Sequence, residues 1–504
     1  MRQAVENTIC SEPFRPHYHF TPERFWMNDP NGLVYFEDEY HLFYQHHPYS
    51  TQWGPMHWGH AVSRDLVHWD HLPVALAPDE HGYIFSGCAV VDWGDTSGFF
   101  GGKPGLVAIF THCDEYPNSK RSRQRQSIAY SNDRGRTWTK YEGNPVLVEP
   151  DLTDFRDPKV FWHNPSQSWI MIISAGDRVR FYGSKNLLEW TYLSEFGESD
   201  GAHGGVWECP DLFPLEIEGE AGRMKWVLTV ADAGDVSGIV NTQYFVGEFD
   251  GVRFCNDNKP DLVLWSDWGS DFYAAQSWSD IKPEDGRRLW IAWMSNFGYI
   301  RQTPTESWRG TMSIPRCLKL KRLPDEGLRL VQMPLKELEK LRTGKFHLTH
   351  TDIVPGRNEL SGIQTNVAEI VAAFEVGTSS GFGFKLAVGD TEELVVGYDV
   401  KNSQFYVDRT RSSMMTFDTS GRFASKYVRS VKEQNGRVDV RIFIDKSTLE
   451  VFVNGGEAVF SHLIFPDPAS TGMELFTLDG ATKLISLDLF ELQSAAFSPA
   501  DIDQ

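Results

Sequence analysis

At 504 residues the chain is too long for one ordinary hydrophobic core, so two domains are expected. Its 48 Lys and Arg against 69 Asp and Glu leave a net charge of −21, which argues against nucleic acid or an anionic membrane surface as partner and favours a neutral substrate. The six cysteines are scattered with no CxxC pair, so neither a zinc site nor a disulfide framework is expected.

The N-terminal stretch Met1 to Phe14 has no apolar signal-peptide core, and no run approaches the ~20 residues of a membrane span. A soluble cytoplasmic protein is therefore expected, or a secreted one if a signal peptide has been removed. Next comes WMNDPNG, Trp26 to Gly32, which places Asp29 in a rigid turn between an aromatic pair and a strand-like run, Leu33 to Phe36. Alone, that string reads as a tight loop, because Asp, Pro, Asn and Gly each favour turns. Two later segments, RDPKVFW from Arg156 and ECPDLF from Glu208, repeat the combination of an acid, a nearby Pro and a strand. The basic cluster Lys120, Arg121, Arg123 and Arg125 reads as a solvated loop.

Short apolar runs recur: HLFYQ from His41, LVAIF from Leu106, WIMII from Trp169, KWVLTV from Lys225 and LWIAW from Leu289. Their starts lie 65, 63, 56 and 64 residues apart, and each run has the length and composition of a buried strand. Behind three of them come Ala61 to Trp69, Ala129 to Trp138 and Tyr182 to Trp190, each a strand, a polar turn and a Trp. This period points to an all-β, five-bladed propeller over residues 1–333. The innermost strands should open near Asp29, Phe85, Asp157, Glu208 and Phe272, so Asp29, Asp157 and Glu208 should face one another across the axis.

Pro334 to Lys345 has helical spacing and good helix formers, and a linker helix is expected over 334–346. Residues 347–504 alternate as strands. Arg441 to Phe460 gives two β segments joined at Lys446-Ser447 and a hairpin at Asn454-Gly455, as in a β-sandwich.

Cleaving a glycosidic bond needs one ionised carboxylate near the anomeric carbon and a protonated one near the departing oxygen. Trp207, Cys209 and Pro210 beside Glu208 favour a raised pKa there, whereas Asn28, Asn31 and backbone amides favour an ionised Asp29. Asp157, next to Arg156, should be ionised and could hold sugar hydroxyls. The 17 Trp would suit stacking on sugar rings, although core packing is the commoner use.

In these motifs the chain resembles the β-fructosidases, glycoside hydrolase family 32, which holds invertases, levanases and exo-inulinases. FYQH at Phe43, WGPMHWGHAVSRDLVHW at Trp53, FSG at Phe85, FRDPKVFW at Phe155, WECPDLF at Trp207, DFYAAQSW at Asp271 and TPTESWRGTMSIPR at Thr303 carry the likeness with WMNDPNG. The C-terminal STLEVFVNGGEAVFSHLIFP from Ser447 resembles that family's sandwich. The resemblance implies Asp29 as nucleophile, Glu208 as general acid/base and Asp157 as transition-state stabiliser. It also implies a fructosyl pocket of Asn28, Gln45, Trp53, Phe85, Ser86 and Arg156, with Tyr273 and Phe297 on its wall. The lesser alternative for Trp53 and Phe85 is blade packing.

Two departures stand out. Cys88 follows FSG where many relatives carry Ser, and Phe297 stands where many carry an indole, whose N–H a Phe cannot replace. The implied activity is retaining, exo-acting release of terminal fructose from sucrose, fructo-oligosaccharides, inulin or levan, with no metal or cofactor. The absent secretion signal favours small fructosides, and a homo-oligomer is compatible with the sequence. The acids alone leave open a fructosyltransferase, an arabinan-degrading propeller enzyme or a carbohydrate-binding propeller.

Overall fold

The computed structural model describes residues 12–234, 241–413, 417–418 and 421–495; most of the N-terminal stretch read above, including Cys10, lies outside them. Both expected architectures are present. Five antiparallel sheets are arranged as blades, each with its first strand innermost: Phe25–Phe36, Tyr83–Asp92, Phe155–His163, Trp207–Glu216 and Tyr273–Ser277. Each of the five periodic apolar runs lies in the second strand of its blade.

The cores lie between the blades. Cys88, Val107 and Ile109 of blade II pack on Val160 and Met171 of blade III, and Ile170 and Phe181 of blade III pack on Leu228 and Phe245 of blade IV. A strand is therefore apolar on both faces, which is why the runs read as continuous rather than alternating. Blade I closes the ring through a two-residue parallel pairing, Phe25 with Trp308 and Trp26 with Arg309, contributed by the chain of blade V.

The outer Trp turns share one local device. The Ser63 hydroxyl accepts from Leu66 N at 2.8 Å and that of Ser184 from Leu187 N at 2.9 Å, while Asp65 and Asn186 accept from amides further on. The tips, Leu66, Arg134 and Leu187, adopt positive φ of 63°, 59° and 65°. The Trp138 and Trp190 indoles then each donate back to a carbonyl three residues earlier, at 3.1 and 3.0 Å.

Two expectations need correction. The basic cluster is a solvated loop only at Lys120 and Arg121, which are exposed between strands; Arg123 and Arg125 lie on the strand Ser122–Ser131 and both pair with Asp114. The linker is not an α-helix: Lys336–Leu341 is a six-residue 3₁₀ turn, and the strand Arg342–Ile353 begins inside the expected helix. Leu335, Leu338 and Leu341 are buried at a spacing of three, the period of a 3₁₀ turn, and packing on the shared core overrides the α propensity of the intervening Lys and Glu.

The sandwich has a six-stranded and a five-stranded sheet packed over one core. Its Asn454-Gly455 hairpin forms as read, with φ of +49° and +69°. The sandwich is joined to the ring by buried charge. Arg316 of blade V pairs with Asp267 at 3.1 Å and with Glu450 of the sandwich, all fully buried. His19 bridges Asp445 at 2.9 Å and Glu450 at 3.0 Å. Phe443 and Phe452 of the sandwich share a core with Leu289 and Ile291 of blade V.

Candidate active site

The site is built by one backbone irregularity used five times. In every innermost strand the ladder slips at the same level: between Met27 and Pro30, Ile84 and Gly87, Arg156 and Lys159, Glu208 and Asp211, and Tyr273 and Gln276. A β-bulge bends a strand and re-aims the side chains on it. Asp157, Cys209 and Ala274 occupy the bulge with φ of +64°, +48° and +54°. In blade II the tight approach requires glycine, since a Cβ on Gly87 would lie 2.1 Å from the Ile109 carbonyl oxygen.

Aligning the five bulges refines the sequence pattern. The first unpaired position of the slip holds Asn28, Phe85, Asp157, Cys209 and Ala274, and the second holds Asp29, Ser86, Pro158, Pro210 and Ala275. Glu208 is thus the counterpart of neither aspartate: it is the last paired residue before its slip, as Arg156 is in blade III.

Asn28, Asp29, Gln45, Trp53, Phe85, Ser86, Arg156, Asp157, Glu208 and Phe297 line a single cavity of about 300 Å³, together with Arg301. Tyr273 stands behind the wall, buried, and donates its hydroxyl to Glu208 Oε2. Trp53 and Phe297, each 39% exposed, form the rim, so Trp53 is not blade packing. Phe85 meets Trp53 edge-on at 6.2 Å. Gln45 donates to Asn31 Oδ1 at 2.8 Å and to the Ile84 carbonyl at 3.0 Å, which fixes its place in the wall.

Asp29 is held from three sides: Asn28 Nδ2 donates at 3.0 Å, Ser86 Oγ at 2.7 Å and the Cys209 thiol lies at 3.6 Å. Asn28 is itself oriented by the Trp26 indole at 2.7 Å. Asp157 accepts from Cys209 N at 3.0 Å, and its Oδ2 also lies 3.6 Å from the Cys209 sulfur. Cys209 therefore touches both aspartates. Neither it nor Arg301 is among the sequence candidates, although the slips place Cys209 at the position of Asp157.

Burial pushes the Asp29 carboxyl above the ordinary aspartate range and the Glu208 charge adds to this, while the bonds from Ser86, Asn28 and Cys209 pull the other way. Burial also drives Asp157 upward, against the pull of Arg156, with the charges of Glu208 and Asp29 reinforcing the rise. Burial and the Glu208 charge keep Tyr273 a phenol, and so a donor.

The charge partners differ from those expected. The Arg156 guanidinium turns to Glu208, at 3.1 and 2.8 Å, and approaches Asp157 only to 4.0 Å. Nor are the surroundings of Glu208 apolar: Arg156 and Tyr273 hold its two oxygens. Trp207, its sequence neighbour, points to the other face of the strand, where its indole donates to the Ala202 carbonyl at 2.8 Å. Of the two departures, Phe297 packs on Trp293 at 4.7 Å. Cys88 lies below the pocket, accepts from Val160 N at 3.1 Å and is kept a thiol by burial, which pushes its pKa to about 12.

Among the described residues no group of three or more His, Cys, Asp or Glu could hold a metal ion, and no helix is long and apolar enough to cross a membrane.

Residues 19–334 match the family description "Glycosyl hydrolases family 32 N-terminal domain" and residues 337–491 match "Glycosyl hydrolases family 32 C terminal". A levanase of Bacillus subtilis is 52% identical over 97% of this chain and 72% of its own length. An extracellular exo-inulinase of Aspergillus ficuum is 38% identical over 96% of this chain and 95% of its own. The solved structure of a fructofuranosidase variant from Schwanniomyces occidentalis, complexed with fructosylnystose, superposes with a TM-score of 0.88 at 32% identity, over 96% of this chain and 98% of that one. With both halves matched and the acid-bearing strands ringed about one pocket, the chain belongs to glycosyl hydrolase family 32.

Proposed function

We propose that this glycoside hydrolase is a retaining exo-β-fructosidase, with Asp29 as nucleophile, Glu208 as general acid/base and Asp157 as the carboxylate that holds fructosyl hydroxyls. The observation that carries the reading is the meeting of these three acids in one cavity of about 300 Å³. That volume is at the small end of ligand pockets and suits one sugar ring. The layer beneath is filled by Asn31, Lys159 and Gln276, all buried, so a chain can enter only by its end.

In the first step an Asp29 oxygen bonds to the anomeric carbon as the bond to the leaving oxygen breaks, and Glu208 gives its proton to that oxygen. In the second, water attacks the anomeric carbon, Glu208 takes the water's proton, and Asp29 leaves as a carboxylate. Arg156 and Tyr273 orient Glu208 throughout; Ser86 and Asn28 stabilise the anionic form of Asp29.

The relatives' names support fructans as substrates, levan and inulin, alongside sucrose. A secreted enzyme would meet such polymers, whereas the cytoplasmic expectation goes with short fructosides; fractionation of the producing cells decides between them. Asp29→Ala and Glu208→Ala should each lower kcat on sucrose about a thousandfold or more without unfolding the chain. Near-normal fructose release by either variant would end this assignment. Methanolysis should give the β-fructoside; the α-anomer would exclude retention.

A further inference from the structure

The opposite mouth of the ring is hollow too. A cavity of about 860 Å³ opens where the innermost strands of blades II to V end. It is separate from the acid-lined pocket. Between them Lys159 Nζ donates to the Ser277 carbonyl at 2.5 Å and pairs with Asp211 at 3.3 Å, and Gln276 donates to the carbonyls of Cys209 and Pro210. Asp157 and Trp162 are five residues apart on one strand, so about 16 Å separates the two sites.

The walls are flat and aromatic. Trp93 is 59% exposed, the most exposed indole among the described residues. It is nevertheless fixed, because Nε1 donates to Asp280 Oδ1 at 2.9 Å and Asp280 accepts from Val91 N at 3.0 Å. Trp162 donates to Asn164 Oδ1 at 3.1 Å and packs edge-on against Trp169 at 5.2 Å. Trp226 lines the wall from blade IV. Lys159 and Arg288 face three aspartates on the cavity wall, Asp92, Asp211 and Asp280, so an anion finds no surplus cation. Both oxygens of each carboxylate already accept hydrogen bonds, those of Asp92 from Thr96 and Ser97 and those of Asp211 from the amides of Leu212 and Ser277, so no carboxylate is left open to a cation. Rigid aromatic faces beside charged groups that are already engaged fit a neutral ligand with flat C–H faces and hydroxyl edges.

We propose that this cavity is a second, non-catalytic saccharide site that binds a β-fructan chain, with Trp93 as its stacking platform. The identity of the sugar rests on the fructosidase reading; the cavity and its rings do not. A chain held there would keep a polymer near the enzyme between cleavages.

The test is native electrophoresis of Asp29→Ala protein through gels containing levan, inulin or dextran, the substitution preventing digestion of the gel. Levan or inulin should retard it, and adding Trp93→Ala should weaken the apparent affinity about three- to tenfold. In the otherwise unaltered enzyme, Trp93→Ala should raise KM on levan while leaving kcat/KM on sucrose within about twofold. If Trp93→Ala proves misfolded by circular dichroism, Gly94→Arg carries the test, since a Cβ there meets nothing closer than Thr96 Cγ2 at 3.6 Å and the longer side chain fills the mouth. Retardation unaltered by either substitution, or equal retardation by dextran, would overturn the proposal. A wild-type protein inactive on sucrose would instead sink the fructosidase reading, and the retardation comparison would still decide the cavity.

Discussion

A single hydroxyl opposes the protonation of Asp29 that burial favours. Ser86 donates to Oδ2 at 2.7 Å and favours the carboxylate, in opposition to burial and to Glu208. As the proposed nucleophile Asp29 must be ionised, so activity should fall as acid protonates it, and its raised pKa places that acidic limb above the range of an ordinary aspartate. Ser86→Ala removes a hydrogen bond that lowers the pKa. The acidic limb of kcat/KM on sucrose should move to higher pH, and the plateau should fall about tenfold. An unmoved limb would show that Ser86 does not tune this carboxylate.

At the scale of the element, the innermost strands were legible because their chemistry and their geometry coincide: Asp-Pro, Ser-Gly and Cys-Pro mark bulges as well as functional positions. The orientation of Arg156 was not legible. Its neighbour Asp157 is adjacent in sequence, yet the bulge turns the guanidinium toward Glu208 on the next blade. The 3₁₀ linker was hidden for a related reason, since its conformation is set by three leucines meeting a core built from distant strands. The segment before Tyr273 depends on the sandwich in the same way. Trp268 N and Asp271 N donate to the carbonyls of Val459 and Ser461, and buried Arg409 reaches Asp271 at 3.0 Å and Tyr299 at 3.1 Å. Tyr299 lies between Phe297 and Arg301 in the chain, so Arg409 braces that wall of the pocket from the other domain. Arg409→Met leaves Asp271 buried without its cation, at a cost of about 3 kcal/mol. It should raise KM on sucrose more than it lowers kcat, and unchanged kinetics would mean the wall holds itself.

For the molecule as a whole, the junction of ring and sandwich ties stability to pH. Burial alone would deprotonate His19, but its bonds to Asp445 and Glu450 outweigh this and raise its pKa to about 9. The folded value lies above the unfolded one, so this stabilisation is complete below about pH 6.5 and is lost as pH rises toward 9. The pKa of each acid is lowered in spite of burial, that of Asp445 by its bond from His19 and that of Glu450 by the charge of Arg316 and the bond from His19, so their contribution is lost in acid. Calorimetry should find the highest Tm between about pH 5 and 6.5, with a decline toward pH 9 that His19→Gln abolishes. A decline that persists in His19→Gln would place the titrating group elsewhere.

The recurrence of one bulge in all five blades separates chemistry from scaffold. Each blade offers the axis an equivalent socket, shaped by main chain rather than by the residue that fills it. Three hold carboxylates or their orienting partners, one holds a hydroxyl, and blade V holds Tyr273 and the chemically blank Ala274. New catalytic groups can therefore be installed in this family by exchanging side chains at fixed sockets, with the ring itself left intact.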